Sequence, residues 1–154
     1  MPEDVSNPFV NSDLLVPSRY HDAVQKYTLT FTGEDGKAKD VDRSPFGRYI
    51  DIWWASVAIG VREGTVSKID EPHKFITGAI FSNNPWMVVH LQMIALAHTG
   101  DVGILRDRAG IVAIGNGYAA TGLPIILEIL SKKLDPIWDI SNFFGQYGEI
   151  ASTT

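Results

Sequence analysis

The chain has 154 residues, 45% of them hydrophobic and 20% charged, with a formal net charge of −5 and no cysteine. That size and mix suit one domain able to bury a core without metal or disulfide support. The missing thiols exclude disulfides, thiolate metal sites and a cysteine nucleophile, and the acidic balance argues against a broad nucleic-acid-binding surface.

Residues 1–18 hold Pro2, Pro8 and Pro17 and little periodicity. They read as an arm whose Phe9, Val10, Leu14, Leu15 and Val16 are available to dock on the body or on a partner. The acidic, polar N-terminus lacks the basic start and apolar run of a signal peptide. No stretch reads as the roughly 18 apolar residues of a bilayer span, so the expectation is a cytoplasmic protein with no membrane partner. Residues 19–26 suit a short helix. Tyr27-Thr28-Leu29-Thr30-Phe31-Thr32 alternates with period two, Gly33-Glu34-Asp35-Gly36 makes a turn, and residues 37–41 return, which together predict a hairpin.

Ser44 and Pro45 form a cap-plus-proline helix start. The helix is predicted over residues 45–62, with Phe46, Ile50, Trp53, Val57 and Val61 on one face and Gly64 as its stop. Tyr49, Ile52 and Ile59 make the other side apolar too, which places this helix at the centre of the core. Residues 73–81 read as a short apolar helix. Asn84-Pro85 starts another, over residues 85–98, with Met87, Leu91, Ile94 and Ala95 on one face. Residues 109–120, closed by Thr121-Gly122, and a segment opened by Leu123-Pro124 that runs to Lys133 read as two more. Asp135-Pro136 caps a last one over residues 137–144. The fold class is therefore mainly α: a compact helical bundle of five or six helices around a central apolar helix, with a small N-terminal β-hairpin. Its divisions are an arm over 1–18, one helical domain over 19–148 and a tail over 149–154.

Few patterns carry chemistry. Gly115, Gly117 and Ala120 fit the G-x-G-x-x-A form of a dinucleotide-binding turn, with Asp135 at about the spacing of a ribose contact. That motif needs a strand before it and a second βα unit after it, and the chain has no room for one. The competing reading is a helix whose glycines admit a close neighbour. His21, His73, His90 and His98 show no tight ligand spacing, and no metal or cofactor is expected. Asp51, three residues after Arg48, reads as one half of a structural ion pair rather than a catalytic carboxylate. Trp53 and Trp54 point about 100° apart on a helix, so Trp54 belongs either to the core or to a binding surface, where tryptophan is enriched. Arg106, Arg108, Lys132 and Lys133 read as solvated helix ends, or as a small basic patch.

One resemblance adds to these readings. Pro45-Phe46, the run from Asp51 to Gly60 and Val61-Arg62-Glu63-Gly64 resemble small proteins associated with bacterial DNA phosphorothioation (Dnd) defence clusters. So do Ile94-Ala95-Leu96-Ala97-His98-Thr99-Gly100-Asp101 and Tyr118-Ala119-Ala120-Thr121-Gly122-Leu123, in the same order. The resemblance covers residues 45–130 and brings no catalytic residues with it. It implies an accessory role beside larger enzymes of a defence operon. The leading expectation is thus a non-enzymatic accessory or scaffolding subunit of an anti-phage system. It binds larger protein subunits of its operon, and its own copies, through Trp54, Phe9, Leu14 and Leu15. The alternatives are a DNA-binding accessory factor using Arg106, Arg108, Lys132 and Lys133, with nucleic acid the less favoured partner, and a nucleotide-binding module on Gly115-Asn116-Gly117.

Overall fold

A computed structural model describes residues 7–29, 43–132 and 136–151. Strand β1 (Asp13–Pro17) leads through a 3-10 turn into α1 (His21–Lys26). Helix α2 (Tyr49–Glu63) is followed by β2 (Pro72–Thr77) and a 3-10 turn, Gly78–Asn83. Helices α3 (Pro85–Thr99), α4 (Arg108–Ser131) and α5 (Pro136–Ala151) complete the fold, with a 3-10 turn at Val102–Arg106 between α3 and α4. The chain is mainly α, as its patterning predicts.

The two described strands pair with each other. β1 runs antiparallel to β2, with Leu14 opposite Ile76, Val16 opposite His73, and a bulge between Leu14 and Leu15. Leu14 and Val16 alternate into the core while Asp13 faces solvent, the period-two pattern of a half-buried strand. Residues 73–81 are therefore not one helix: the first part is β2, which finds its partner some 60 residues away in the arm, and only 78–81 are helical, in the 3-10 turn. Of the predicted hairpin, Thr28 bridges Phe46 in parallel, and residues 30–42 lie outside the described residues.

That bridge also moves the start of α2. Leu29 N–H donates to the Phe46 carbonyl at 2.9 Å and Phe46 N–H to the Tyr27 carbonyl at 3.2 Å, which holds the chain extended past Pro45. Ser44 spends its hydroxyl on the Lys26 carbonyl at 2.9 Å instead of capping a helix. Helix α2 begins four residues after Pro45, at Tyr49, where the Asp51 carboxylate accepts the Arg48 backbone N–H at 2.9 Å. The Arg48 guanidinium reaches the other oxygen of the same carboxylate, also at 2.9 Å. The predicted ion pair thus forms at the helix entrance, partly exposed, rather than inside the apolar helix. Gly64, in the left-handed region at φ 69°, ends α2 as expected.

The core is built where α2 crosses α4. Ser56 and Gly60 on α2 meet Tyr118 and Gly122 on α4 backbone to backbone, and a Cβ on either glycine would lie well inside 3.0 Å of the opposite chain. Trp53, Ile50, Ile52 and Val57 fill the space around this crossing. The predicted central helix therefore shares the centre with α4, which buries 13 side chains or glycines along its length. Thr121-Gly122 does not break α4, because Gly122 is needed at the contact, and the helix continues through Pro124 to Ser131. This union of two predicted helices makes one segment long and apolar enough to cross a bilayer, contrary to the sequence reading; 67% of its apolar window is buried inside the fold, as in a core helix.

Candidate functional site

Helix α3 is apolar nearly all round, with no Asp, Glu, Lys or Arg among Pro85–Thr99. Only one side is used by the fold, through Met87, Val88, Leu91 and Ala95. The other side leaves Trp86, Val89 and Met93 47%, 53% and 60% exposed. These three fall at i, i+3 and i+7, one continuous stripe on a helix. Asn84 and Pro85 set where the stripe begins, because proline suits the first helical turn.

Two neighbours shape the stripe. Trp54, half-buried on α2, meets the Trp86 ring edge to face at 5.6 Å, and Trp86 meets His90 in the same way at 5.5 Å. The His90 ring is fixed by a 2.6 Å contact between Nδ1 and the Trp86 carbonyl. On the far side, the 3-10 turn Val102–Arg106 brings Leu105 and Arg106 beside α3. Asp101 holds this turn by accepting the Gly103 N–H at 2.8 Å, and Asp107 caps α4 by accepting the Gly110 N–H at 2.9 Å. Between α3 and the start of α4 lies a groove of about 470 Å³ that includes Val89, Leu105, Arg106 and Arg108 in its lining. Such a surface can dehydrate apolar side chains and pair with carboxylates.

A second groove, of about 580 Å³, lies where β1 and residues 67–69 approach α4. Its wall is organised by Asn116, almost fully buried, which accepts the Leu15 N–H at 2.9 Å and donates to the Asp13 carbonyl at 3.1 Å. One amide thus satisfies the edge of β1 that β2 leaves open, as a neighbouring strand would.

A protein-family model described as DNA sulphur modification system-associated protein 4 matches residues 36–149. The chain belongs to this family. The match runs from before α2 into α5, including the whole exposed stripe of α3, and agrees with the Dnd resemblance read from residues 45–130. No curated protein and no solved structure matches the chain.

The sequence-predicted site residues fall in separate places. Phe9 and Leu14 are fully buried among the core side chains, so they anchor the arm to its own body rather than face solvent. Leu15 is half-buried beside Asn116, and Trp54 is half-buried against Trp86. Arg106 and Arg108 lie together at the α3–α4 groove, but Lys132 is at the other end of α4, roughly 36 Å away at 1.5 Å per residue, where it pairs with Glu128 at 2.6 Å. This pairing holds the Glu128 carboxyl below its usual range. The four-residue basic patch therefore does not form around these cations; Lys133 lies outside the described residues.

The dinucleotide reading is overturned by the helix itself. Gly115, Asn116 and Gly117 sit in the middle of α4, with no strand before them. A Cβ on Gly115 would collide with Leu91 and press on Trp53, and one on Gly117 would collide with Val66. These glycines make room for protein, not for a pyrophosphate. Among the described residues no cluster of three His, Asp or Glu side chains could hold a metal ion. His21 and His73 stack at 4.1 Å, and His98 Nδ1 lies 2.9 Å from the Tyr118 hydroxyl. The exposed stripe of α3 escaped sequence reasoning: an all-apolar helix looks the same whether one side or both are covered.

Proposed function

We propose that this chain is a non-enzymatic accessory subunit of a DNA sulphur modification system, acting in the bacterial cytoplasm by binding another protein of that system. The observation that carries this reading is the exposed stripe Trp86, Val89 and Met93, backed by Trp54. Large exposed apolar patches mark interaction surfaces, and tryptophan is the residue most enriched among binding hot spots. Family membership supports the association with the system and suggests which proteins to try as partners.

Co-expression with the other proteins of the same modification cluster tests this. One of them is expected to co-purify with the wild-type chain and to be lost from Trp86→Glu/Met93→Glu, which keeps its helical circular dichroism because both side chains lie outside the core. Failure of every cluster protein to co-purify would refute the reading. The same variant separates self-association from partner binding, since a homodimer through this face would become monomeric in sedimentation.

A further inference from the structure

We propose that the groove between α3 and the start of α4 receives an acidic segment of the partner protein, with an apolar side chain seated against Val89 and Leu105 and carboxylates on Arg106 and Arg108. This rests on the protein-binding reading above and adds the chemistry of what is bound.

The argument is one of charge. The chain carries 18 acidic and 13 basic residues, and the border of the α3 stripe holds both signs, Asp101 and Asp107 with Arg106 and Arg108. No charged residue lies on α3 itself. The nearby carboxylates Asp101 and Asp107 are committed to the Gly103 and Gly110 backbone N–H groups. Arg48, Lys74 and Lys132 each have a carboxylate partner at 2.9 Å or less. Arg106 and Arg108 have none among the described residues, and both are exposed. Two guanidinium groups with no ion-pair partner among the described residues thus stand at a groove of mixed lining, with Val89, Leu105 and Gln92 beside them. Arginine pairs carboxylates through two parallel hydrogen bonds and is weakly hydrated, which suits it to interfaces.

The groove's size and lining agree. Its volume of about 470 Å³ admits one or two side chains, and its lining includes Val88 and Gln92 of α3. A nucleic-acid duplex fits less well. Its affinity comes from neutralising many phosphates, and two arginines beside an apolar stripe offer only two such contacts and bury nothing of a phosphate backbone.

Selection of random dodecapeptides on the full-length protein tests the proposal. Enriched peptides are expected to combine an aromatic or aliphatic residue with adjacent Asp or Glu, and to compete with the co-purifying cluster protein. Arg106→Glu/Arg108→Glu should weaken the selected peptides by at least about ten-fold and shift selection to Lys- and Arg-bearing peptides. Val89→Glu should remove binding of both classes. Enrichment of apolar peptides without acidic preference would overturn the charge argument while leaving the protein-binding reading intact. So would selected peptides that bind the double arginine variant as well as wild type. Salt-sensitive retention of a labelled DNA duplex that the double variant abolishes would assign the arginines to nucleic acid instead.

Discussion

Gly60 lies against the backbone of Tyr118, with no room between α2 and α4 for a methyl group on the glycine. Gly122 stands in the same relation to Ser56 from the opposite helix. Gly60→Ala and Gly122→Ala should each force the helices apart and cost about 1–3 kcal/mol or more by urea denaturation. Gly145→Ala is the control. It lies in α5 with nothing within 4 Å of the added carbon, and should gain about 0.5–1 kcal/mol from helix propensity. Equal effects at the three positions would mean that the crossing is looser than described.

Trp53 is 1% exposed and Trp54, its neighbour, only half-buried. Trp53→Ala should cost about 3–5 kcal/mol, and Trp54→Ala well under half of that. The same denaturation experiment decides it, because a comparable loss at Trp54 would place that indole in the core rather than at its edge.

Asn116→Ala removes both partners that its amide provides to β1. A buried backbone group left unsatisfied costs about 1–3 kcal/mol. The diagnostic readout is local: the Leu15 amide should exchange with deuterium much faster, while the amides of α2 keep their protection.

Burial pushes the Tyr49 phenol above its usual range, and a hydrogen bond with Gln25 offsets only part of that. Because the folded-state value lies above the unfolded one, this contribution to stability is complete below about pH 10 and is lost as pH rises through the folded value. Tyr49→Phe should therefore show a flatter decline in stability than wild type between neutral and strongly alkaline pH. Parallel curves for the two proteins would show that the phenol is solvated.

Local signals carried well from the sequence. Pro85 starts α3, Gly64 ends α2, and Trp53 and Ile50 are buried on the predicted face. Each depends on a residue's own backbone preference or on spacing within a single helix. The misreadings share the opposite origin. Pro72–Thr77 becomes a strand only because Asp13–Pro17 lies beside it, and Ser44 fails as a cap because the Lys26 carbonyl takes its hydroxyl. Gly122 looked like a helix end, yet a glycine at a helix crossing and a glycine at a helix terminus differ only in what stands opposite. Of the proposed docking surface, the sequence points to Trp54 as a candidate partner contact, while Arg106 and Arg108 read there only as helix ends or a nucleic-acid patch; the α3 stripe depends on which side of that helix the rest of the chain leaves bare.

The strand pairing sets an order of assembly. Synthesis runs from β1 toward α4, so β2 follows only after α2, and Asn116 later still, in the first half of α4. Until those residues have been made, Phe9, Leu14 and Val16 have no complete site to fill, so this segment waits for parts of the fold made after it. A nascent chain stalled before α4 would accordingly be open to proteolysis at its N-terminal arm, and release of α4 would close that window.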